Sequence, residues 1–248
     1  MEEIIAVINQ KGGVAKSTTA QAIGQGISLF YKKKVLFIDL DAQANLSYSL
    51  GARQGNTILE VMTGAEAETA IQHTPLGDII PASPNLSGAD MLFTSTGKEY
   101  KLKEALEPIK GMYDYIIIDT PPALGILTIN ALTACTGIII PAQADIFSLQ
   151  GISQLSNTIT AVKTYCNNDL TLKGIALTRY SKRAVLSRDV AELIEATAKK
   201  LETKVYKTPI RECIAIKEAQ ARKQSIFEYA PKSNGSKDYK DLIKEVIR

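Results

Sequence analysis

Short apolar runs recur along the chain, and segments of mixed polarity separate them. Six of these runs are rich in β-branched residues and have the length of a strand. Several are apolar at every position, which is typical of strands that are buried on both faces of a parallel sheet. The predicted strands are residues 4–8, 35–38, 78–81, 115–118, 137–140 and 174–177.

Segments with helical periodicity lie between these strands. In residues 151–165, for example, Ile152, Leu155 and Ile159 fall on one face of a helix. Strand alternating with helix predicts a doubly wound α/β fold, a mostly parallel sheet with helices on both faces. Because no repeat or linker interrupts the alternation, we expect one domain over residues 1–248. The predicted helices are residues 16–31, 97–106, 126–135, 151–165 and 185–201.

The last segment, residues 236–248, has its apolar residues on one helical face, and this allows two interpretations. The helix packs on the core, or it lies on a membrane surface. Membrane-surface helices carry a strongly basic polar face, whereas this one mixes its lysines with Asp238, Asp241 and Glu245. We therefore expect packing on the core and no stable membrane binding.

The composition is that of a globular protein, since 45% of the 248 residues are hydrophobic and 22% are charged. No apolar run approaches the ~20 residues of a membrane span. The first residues do not resemble a secretory signal. The three cysteines are far apart and form no CxxC pair, so we expect reduced thiols and a cytoplasmic protein.

The net charge of +3 hides an uneven distribution. Residues 173–223 contain 13 Lys and Arg but only 6 Asp and Glu, so this region carries +7 and the rest of the chain −4. A basic region on a mildly acidic body is typical of proteins that bind a polyanion. A solvated helix face explains the same charges, and charge alone does not decide between the two.

The first predicted strand runs into a glycine-bearing turn at residues 9–19 (NQKGGVAKSTT) and then into a helix. This is the context of a phosphate-binding loop, in which main-chain N–H groups and a helix N-terminus surround the phosphate. Lys16 would reach the β- and γ-phosphates, and the Ser17 hydroxyl would bind Mg²⁺. The strict pattern GxxxxGK[ST] fails at Gln10 and Ala15.

Alanine at position 15 harms such a loop only if the backbone there has a positive φ or if the methyl group meets the phosphate. The position immediately precedes a predicted helix, where a negative φ is usual and alanine is well tolerated. We therefore expect a negative φ at Ala15 and a loop that binds nucleotide.

Carboxylates follow two further strands. Asp39 and Asp41 come after the strand at 35–38, and Asp119 comes after the strand at 115–118. The carboxyl ends of parallel strands meet at one edge of a sheet, where the loop also begins. A single acid there can simply cap a helix, but three acids beside a phosphate loop favour the handling of Mg²⁺ and water.

Together these segments resemble the ParA/MinD family of P-loop ATPases, which have a deviant Walker motif. The resemblance rests on residues 11–18 (KGGVAKST), on 39–41 (DLD) and on 115–122 (YIIIDTPP). Gln10 and residues 41–45 (DAQAN) place the chain nearest to the Soj-like ParA branch, whose members partition DNA. The resemblance implies a P-loop NTPase fold, the ligands ATP and Mg²⁺, and an ATP-dependent homodimer.

The resemblance also implies a role for the additional lysine of the loop. Lys11 would cross the interface of an ATP-sandwich dimer and neutralise the triphosphate bound by the partner subunit. It would thus join Lys16 and Asp41 as a catalytic residue, much as an arginine finger acts in trans. A solvated lysine without a role is the alternative.

The remaining site residues follow from the same resemblance. Asp41 would orient or deprotonate the attacking water. Ser17, Asp39 and Asp119 would hold Mg²⁺, the two carboxylates through water. The ATP contacts that the resemblance implies are Lys11, Gly12, Gly13, Val14, Ala15, Lys16, Ser17, Thr18, Pro122, Pro209 and Arg211.

Family members bind double-stranded DNA without sequence preference once ATP has dimerised them, and the basic region fits that property. A ParB-like centromere-binding partner would stimulate slow hydrolysis, and the cycle would position a plasmid, chromosome region or mobile element on the nucleoid. The chain departs from the family pattern at Ala15, at Ala42, and at Ala215, where many members carry a DNA-binding arginine. The expected DNA contacts are Arg179, Lys182, Arg183, Arg188, Lys217, Arg222 and Lys223.

Three other interpretations use the same fold. A membrane-cycling ATPase of the MinD type needs a basic amphipathic tail. An iron–sulfur reductase needs cysteines near the second switch, and residues 119–125 contain none. A protein that coats DNA without turnover would result if Ala15 abolished hydrolysis. The ParA-type partition ATPase is the function that we expect.

Overall fold

Seven strands form one sheet in the computed structural model, which describes residues 2–247. In chain order they are β1 (Glu3–Val7), β2 (Val35–Asp39), β3 (Gln72–Thr74), β4 (Gly77–Ile80), β5 (Tyr115–Asp119), β6 (Gly137–Gln143) and β7 (Thr171–Thr178). The order across the sheet is β3-β4-β2-β5-β1-β6-β7. All neighbouring pairs are parallel except β3 with β4, so the predicted mostly parallel α/β sheet is confirmed.

All six predicted strands are present, with ends that differ from the prediction by up to three residues. The largest differences are in β6 and β7, which continue to pair with each other beyond their apolar centres. The edge strand β3 was not predicted. Its three residues are polar and pair antiparallel with β4 in a hairpin, so no apolar run marks the strand in the sequence.

Helices fill the connections between the strands. In the described residues the α-helices are α1 (Lys16–Tyr31), α2 (Asn45–Leu50), α3 (Ile58–Met62), α4 (Ala67–Ala70), α5 (Ala89–Leu92), α6 (Lys101–Leu106), α7 (Ile126–Ala134), α8 (Ile146–Tyr165), α9 (Val185–Lys200), α10 (Ile214–Ala221), α11 (Ile226–Tyr229) and α12 (Asn234–Val246). Three 3₁₀ helices occupy Pro84–Gly88, Lys98–Tyr100 and Glu107–Ile109.

The long helices lie where helical periodicity predicted them. α1 matches its prediction at both ends, and α7 and α9 end one residue early. The predicted helix 97–106 is divided into a 3₁₀ turn and α6. α8 begins at Ile146 instead of 151, because the Asp145 side chain accepts the N–H group of Ser148 and caps the helix there.

Two apolar layers enclose the sheet, one on each face. Ile5 and Val7 of β1 pack with α1, α11 and α12, whereas Ala6 and Ile8 pack in the opposite layer with α7 and α8. Successive residues of a strand point to opposite faces. Both faces of the chain are therefore buried from Ile5 onward, which is why residues 4–8 are apolar at every position.

The C-terminal helix α12 packs on the core, as the sequence predicted. Tyr239, Leu242, Ile243 and Val246 are buried in the same layer as α1. Its acids Asp238 and Glu245 accept hydrogen bonds from residues 207–211, and Asp241 pairs with Lys244 at the surface. Among the described residues, no helix has the length and apolar character that crossing a membrane requires.

The adjacent strands β2, β5 and β1 end at the same level, at the carboxyl edge of the sheet. Asp119 at the end of β5 lies opposite Val7 of β1 and opposite Asp39 of β2. The loop at residues 9–15 follows β1 directly. The loop and two of the predicted carboxylates therefore share this edge, where ligands of open α/β sheets bind.

Close contact between α1 and β2 depends on the absence of a side chain at Gly24. A Cβ atom there would lie 2.3 Å from Phe37 Cε1, and the Phe37 ring is also confined by Gly77 on its other side. We expect Gly24→Ala to lower the free energy of unfolding by about 1–3 kcal/mol, because the buried ring has no room to move. Urea denaturation measures this loss.

Gly88→Ala is the matched control for this substitution. A Cβ atom at Gly88 would meet no heavy atom within 4 Å, and φ is already negative there. The control should change the free energy of unfolding by less than about 0.5 kcal/mol. Equal stability of both variants would contradict the packing argument.

Candidate functional site

The phosphate loop, residues 9–15, is held by side chains that come from distant parts of the chain. Asn9, the first residue of the loop, donates from Nδ2 to the carbonyl oxygen of Pro141 on β6 over 2.7 Å. Its Oδ1 accepts the N–H group of Lys11 over 3.0 Å. Asn9 therefore ties the start of the loop to the neighbouring strand.

Two more anchors come from the ends of β6 and β7. Gln143 donates from Nε2 to the carbonyl oxygen of Gly13, and the Thr178 hydroxyl donates to that of Val14, each over 3.0 Å. Sequence analysis did not identify these anchors. The available signal was a polar residue at the end of an apolar strand, which also fits an ordinary strand end.

The conformation of Ala15 differs from the prediction. Its φ is 68° and its ψ is 36°, in the left-handed region, so the expected negative φ is wrong. Gly13 also has a positive φ, of 77°. Residues that alternate between left- and right-handed conformations form the nest of N–H groups that binds anions, and the loop needs this path before α1 begins. The left-handed conformation costs an alanine residue about 1–2 kcal/mol.

Asp39 and Asp41 lie directly beside the loop. Asp39 is fully buried and accepts hydrogen bonds from the Ser47 N–H and hydroxyl groups, over 2.8 and 2.7 Å, and from the Asp41 N–H group over 3.0 Å. Burial raises the pKa of Asp39 to about 6, although these bonds oppose the shift. Asp41 is nearly buried, and one of its oxygens accepts the N–H group of Gln43.

Asp119 and Lys16 are both buried at the base of the loop, where Lys16 Nζ donates to the carbonyl oxygen of Lys11 over 3.4 Å. Asp119 is fully buried, and neither of its oxygens has a hydrogen-bond partner. Burial raises the pKa of Asp119 well above its usual range, and Asp39 adds to the shift, while the nearby Ser17 hydroxyl and Lys16 oppose it. Burial lowers the pKa of Lys16, with Asp119 and Asp41 in opposition. A buried charge without a partner is costly, which indicates that a ligand completes the site.

The carboxylate oxygens of Asp39 and Asp119 and the hydroxyl of Ser17 are suitable ligands for a magnesium ion. Mg²⁺ prefers oxygen ligands, and it usually binds through one or two carboxylates, waters and substrate phosphates rather than in a cage of protein atoms. Within residues 2–247, no group of three or more Asp, Glu, His or Cys side chains lies close enough to hold a metal. The Asp119 carboxylate lies near Ser17 at the start of α1, and this pairing of a carboxylate with a hydroxyl matches that preference.

A cleft of about 450 Å³ opens above the loop. Its walls are the loop with the start of α1, the segment after β2 with α2, and the end of α10. Pro122, one of the predicted ATP contacts, also lines it. The lining residues are Gly12, Gly13, Ala15, Lys16, Ser17, Thr18, Asp41, Gln43, Asn45, Tyr48, Ser49, Pro122, Arg179, Gln220 and Ala221.

A smaller pocket of about 90 Å³ adjoins this cleft and shares Ala15, Thr18, Arg179 and Gln220 with it. Its outer wall is the segment that follows β7, including Arg211. Pro209 belongs to the same segment but does not line the pocket. Of the two predicted ATP contacts in this segment, the structure thus places only Arg211 at the cavity.

Lys11 contacts its own chain instead of the cleft. Its ammonium group forms a salt bridge with Asp145, in the connection between β6 and α8. It also lies 5.9 Å from the centre of the exposed Phe147 ring. Burial alone would raise the pKa of Asp145, but hydrogen bonds from Lys11 and Ser148 lower it overall. Sequence analysis did not identify Asp145 as the partner of Lys11.

The predicted DNA-binding residues are all exposed but lie in different surroundings. Arg179 lines both cavities. Lys217 is 3.9 Å from Glu212. Arg222 and Lys223 lie over aromatic rings, 5.4 Å from the centre of Tyr229 and 4.5 Å from the centre of Tyr48 respectively. Lys182, Arg183 and Arg188 are at the connection from β7 to α9 and its first turn.

The sheet order, the loop after the interior strand β1 and the strand-end carboxylates define a P-loop nucleotide-binding α/β protein. A family model described as "AAA domain" matches residues 2–172. The chain is 40% identical to the sporulation initiation inhibitor protein Soj of Bacillus subtilis, over 99% of this chain and 98% of that one. The chain belongs to the ParA/MinD family and is close to its Soj-like ParA members.

Other comparisons agree with this assignment. The chain is 35% identical to the chromosome partitioning protein ParA of Myxococcus xanthus, over 99% of this chain and 88% of that one. Among solved structures, one titled cobyrinic acid a,c-diamide synthase from Mycobacterium smegmatis, with bound ATP analog and magnesium, has a TM-score of 0.86. It is 36% identical and covers 98% of this chain and 93% of that one. The family resemblance that the sequence indicated is confirmed.

The left-handed backbone at Ala15 predicts that glycine is the better residue there. We expect Ala15→Gly to raise the free energy of unfolding by about 0.5–1 kcal/mol, because relief of strain exceeds the added entropy of the unfolded chain. Urea denaturation measures the change.

Ala196→Gly, at an exposed position inside α9, is the matched control. In a right-handed helix the same substitution should lower the free energy of unfolding by about 1 kcal/mol. A loss of similar size at both positions would show that the strain at Ala15 is absent.

Proposed function

We propose that the chain is a ParA-type partition ATPase. It binds ATP with Mg²⁺, forms a nucleotide-sandwich homodimer, binds DNA without sequence preference and hydrolyses ATP slowly. A ParB-like centromere-binding partner stimulates that hydrolysis. The cycle segregates or positions a plasmid, chromosome region or mobile element on the nucleoid in the cytoplasm. The observation that carries the proposal is the buried, unpartnered Asp119 beside Lys16 at the base of the phosphate loop.

ATP binds along the loop and into the cleft above it. The main-chain N–H groups of residues 11–18 surround the phosphates, and the buried Lys16 contributes its positive charge. Ser17 would hold Mg²⁺ directly and Asp39 and Asp119 would hold it through water, and the ion would neutralise part of the negative charge on the phosphates. The solved Mycobacterium smegmatis relative contains an ATP analog and magnesium, which supports the same ligands here.

Hydrolysis depends on Asp41. Its carboxylate lines the cleft and is oriented by the N–H group of Gln43. Asp41 orients a water molecule for attack on the γ-phosphorus and accepts its proton as the bond to the leaving ADP breaks. Pro122, which lines the same cleft, senses whether the γ-phosphate is present.

Dimerisation depends on Lys11. In the single chain its charge is neutralised by Asp145. In the ATP-bound dimer Lys11 contacts the triphosphate held by the partner subunit, which carries more negative charge than one carboxylate. Two triphosphates facing each other would repel without such cations, so Lys11 couples bound ATP to the dimer.

DNA binding depends on part of the region 173–223, which carries +7, namely on the exposed residues Arg179, Lys182, Arg183, Arg188, Lys217, Arg222 and Lys223. Contacts to phosphate supply affinity that is independent of sequence and sensitive to salt. A single subunit offers few contacts, so the dimer binds more tightly by presenting two faces at once. Nucleotide state thereby controls residence on the nucleoid.

Two alternatives have less support. A MinD-type membrane cycle needs a free amphipathic tail, but the apolar face of α12 is buried in the core. Cobyrinic acid a,c-diamide synthase activity is named for the Mycobacterium smegmatis structure. However, curated relatives at 35–37% identity are named for chromosome partitioning.

If Lys11 acts on the partner subunit's triphosphate, its removal should prevent dimerisation without preventing ATP binding. Lys11→Ala should keep its affinity for Mg-ATP within about threefold, because Lys16 and the loop remain, but should stay monomeric with ATP. Lys16→Ala should lose ATP binding altogether. Calorimetry gives the affinities, and size-exclusion chromatography with light scattering gives the mass.

Lys33→Ala, at an exposed lysine outside the cleft, is the control and should dimerise normally. A normal ATP-dependent dimer of Lys11→Ala would refute the trans role. Loss of dimer in all three variants would point to a general defect.

The basic region predicts a change in the salt dependence of DNA binding. Reversing Arg183 and Arg188 to Glu should weaken binding of the ATP-bound protein to random DNA. It should also flatten the plot of log K against log salt by ~1.8 per subunit, at ~0.9 for each lost phosphate contact. Filter binding from low to moderate salt measures both.

Reversing Lys199 and Lys200, at the other end of α9, changes the net charge equally and is the matched control. It should leave the salt slope nearly unchanged, because these residues lie far along the helix from the nucleotide edge. Identical slopes for the two double variants would mean that net charge, not the location of the charges, governs binding.

A further inference from the structure

Residues 207–211 contain no helix or strand, yet each of their main-chain N–H groups is bound. Ile210 donates to Leu177 of β7 over 2.8 Å, and Pro209 has no N–H group. The other three N–H groups donate to carboxylates of α12. Main-chain groups that leave water need partners, so these bonds determine the path of the segment.

Two acids of α12 accept these three bonds. Glu245 accepts the N–H groups of Lys207 and Thr208 over 2.8 and 3.0 Å. Asp238 accepts the N–H group of Arg211 over 3.0 Å. The two acids are seven residues apart, so they lie on one face of the helix about two turns from each other. The C-terminal helix therefore holds the segment at both of its ends.

Asp238 also binds the Arg211 side chain with both of its oxygens. Nε donates to Oδ2 over 2.9 Å, and Nη2 donates to Oδ1 over 2.6 Å. Asp238 is only 6% exposed, so the contact is partly shielded from water. A two-point contact between guanidinium and carboxylate restricts orientation more than a single bond does. The guanidinium of Arg211 is thus committed to α12.

The segment that α12 holds is the outer wall of the smaller pocket. Ile210 and Arg211 line that pocket, and so does Tyr239, the neighbour of Asp238 on α12. The Tyr239 hydroxyl lies 3.2 Å from the hydroxyl of Thr19, on the helix that begins at the phosphate loop. α12 therefore contacts both α1 and the pocket wall, and it sets the distance between them.

We propose that Asp238 is a positioning residue for the base of the bound nucleotide. It holds Arg211 and the adjoining main chain at the separation from α1 that a planar heterocyclic base requires, while the loop holds the phosphates. Asp238 itself lines neither cavity. The inference rests on the ATP binding proposed above, and it assigns to the C-terminal helix a role in affinity for the base.

The test compares a ligand that has a base, ATP, with one that has only phosphates, tripolyphosphate. Asp238→Asn keeps the size of the side chain but removes its charge and one acceptor. The Kd for Mg-ATP, measured by calorimetry, should rise about tenfold, as expected for loss of a charged hydrogen bond. The Ki for magnesium tripolyphosphate, measured by displacement of a fluorescent ATP analogue, should change less than about twofold, because the loop lies outside the altered contact.

Two further variants control the test. Asp241→Asn removes the same charge from the same helix at an exposed position that pairs with Lys244. It should leave both constants unchanged. Arg211→Lys keeps the positive charge and the main-chain bond but loses the fork, so it should weaken ATP binding about three- to tenfold. If Asp238→Asn does not fold, Arg211→Lys replaces it as the test variant.

An unchanged Kd for ATP in Asp238→Asn and Arg211→Lys overturns the inference. So does an equal loss of affinity for ATP and tripolyphosphate, because the effect would then have spread to the phosphate loop. A wild-type protein that binds no ATP contradicts the proposed function instead, and that result is distinct from both.

Discussion

A buried cluster of charges at the carboxyl edge of the sheet is the constraint on which the rest of the structure depends. Asp39 and Asp119 are directly opposite each other on neighbouring strands, and Lys16 lies beside them at the start of α1. The pairing that buries the strands brings the acids together, so the fold cannot avoid their repulsion. Burial opposes both signs of charge. A ligand that combines a cation with phosphate oxygens would satisfy both signs at once.

Hydrogen bonds fix the phosphate loop, residues 9–15, in front of this cluster. Asn9 of the loop bonds to β6, and Gln143 and Thr178 bind the loop from the ends of β6 and β7, so its main chain has its shape before any ligand arrives. Such preorganisation favours anion binding because little ordering remains to be done. Ala15 opposes it locally, since a left-handed alanine is strained.

Helical and strand periodicity predicted the sheet, the long helices and the edge at which the ligand site lies. These predictions succeeded because burial on both faces requires apolar residues in every strand position. β3 was missed because an exposed edge strand needs no such pattern. α8 was predicted to begin five residues late, because the apolar stripe was read from Ile152 onward, whereas the cap at Asp145 determines the start.

The sequence by itself determined the ParA/MinD family and the α/β sheet, and it placed the loop and three carboxylates at one edge. Only the tertiary structure decided the sign of φ at Ala15, the pairing of Lys11 with Asp145 and the pairing of Arg211 with Asp238. The physical reason is that periodicity and motifs express local requirements, namely which positions are buried and which backbone can reach a phosphate. The pairing of charged side chains depends on which distant segments the sheet order makes neighbours, and no local pattern records that.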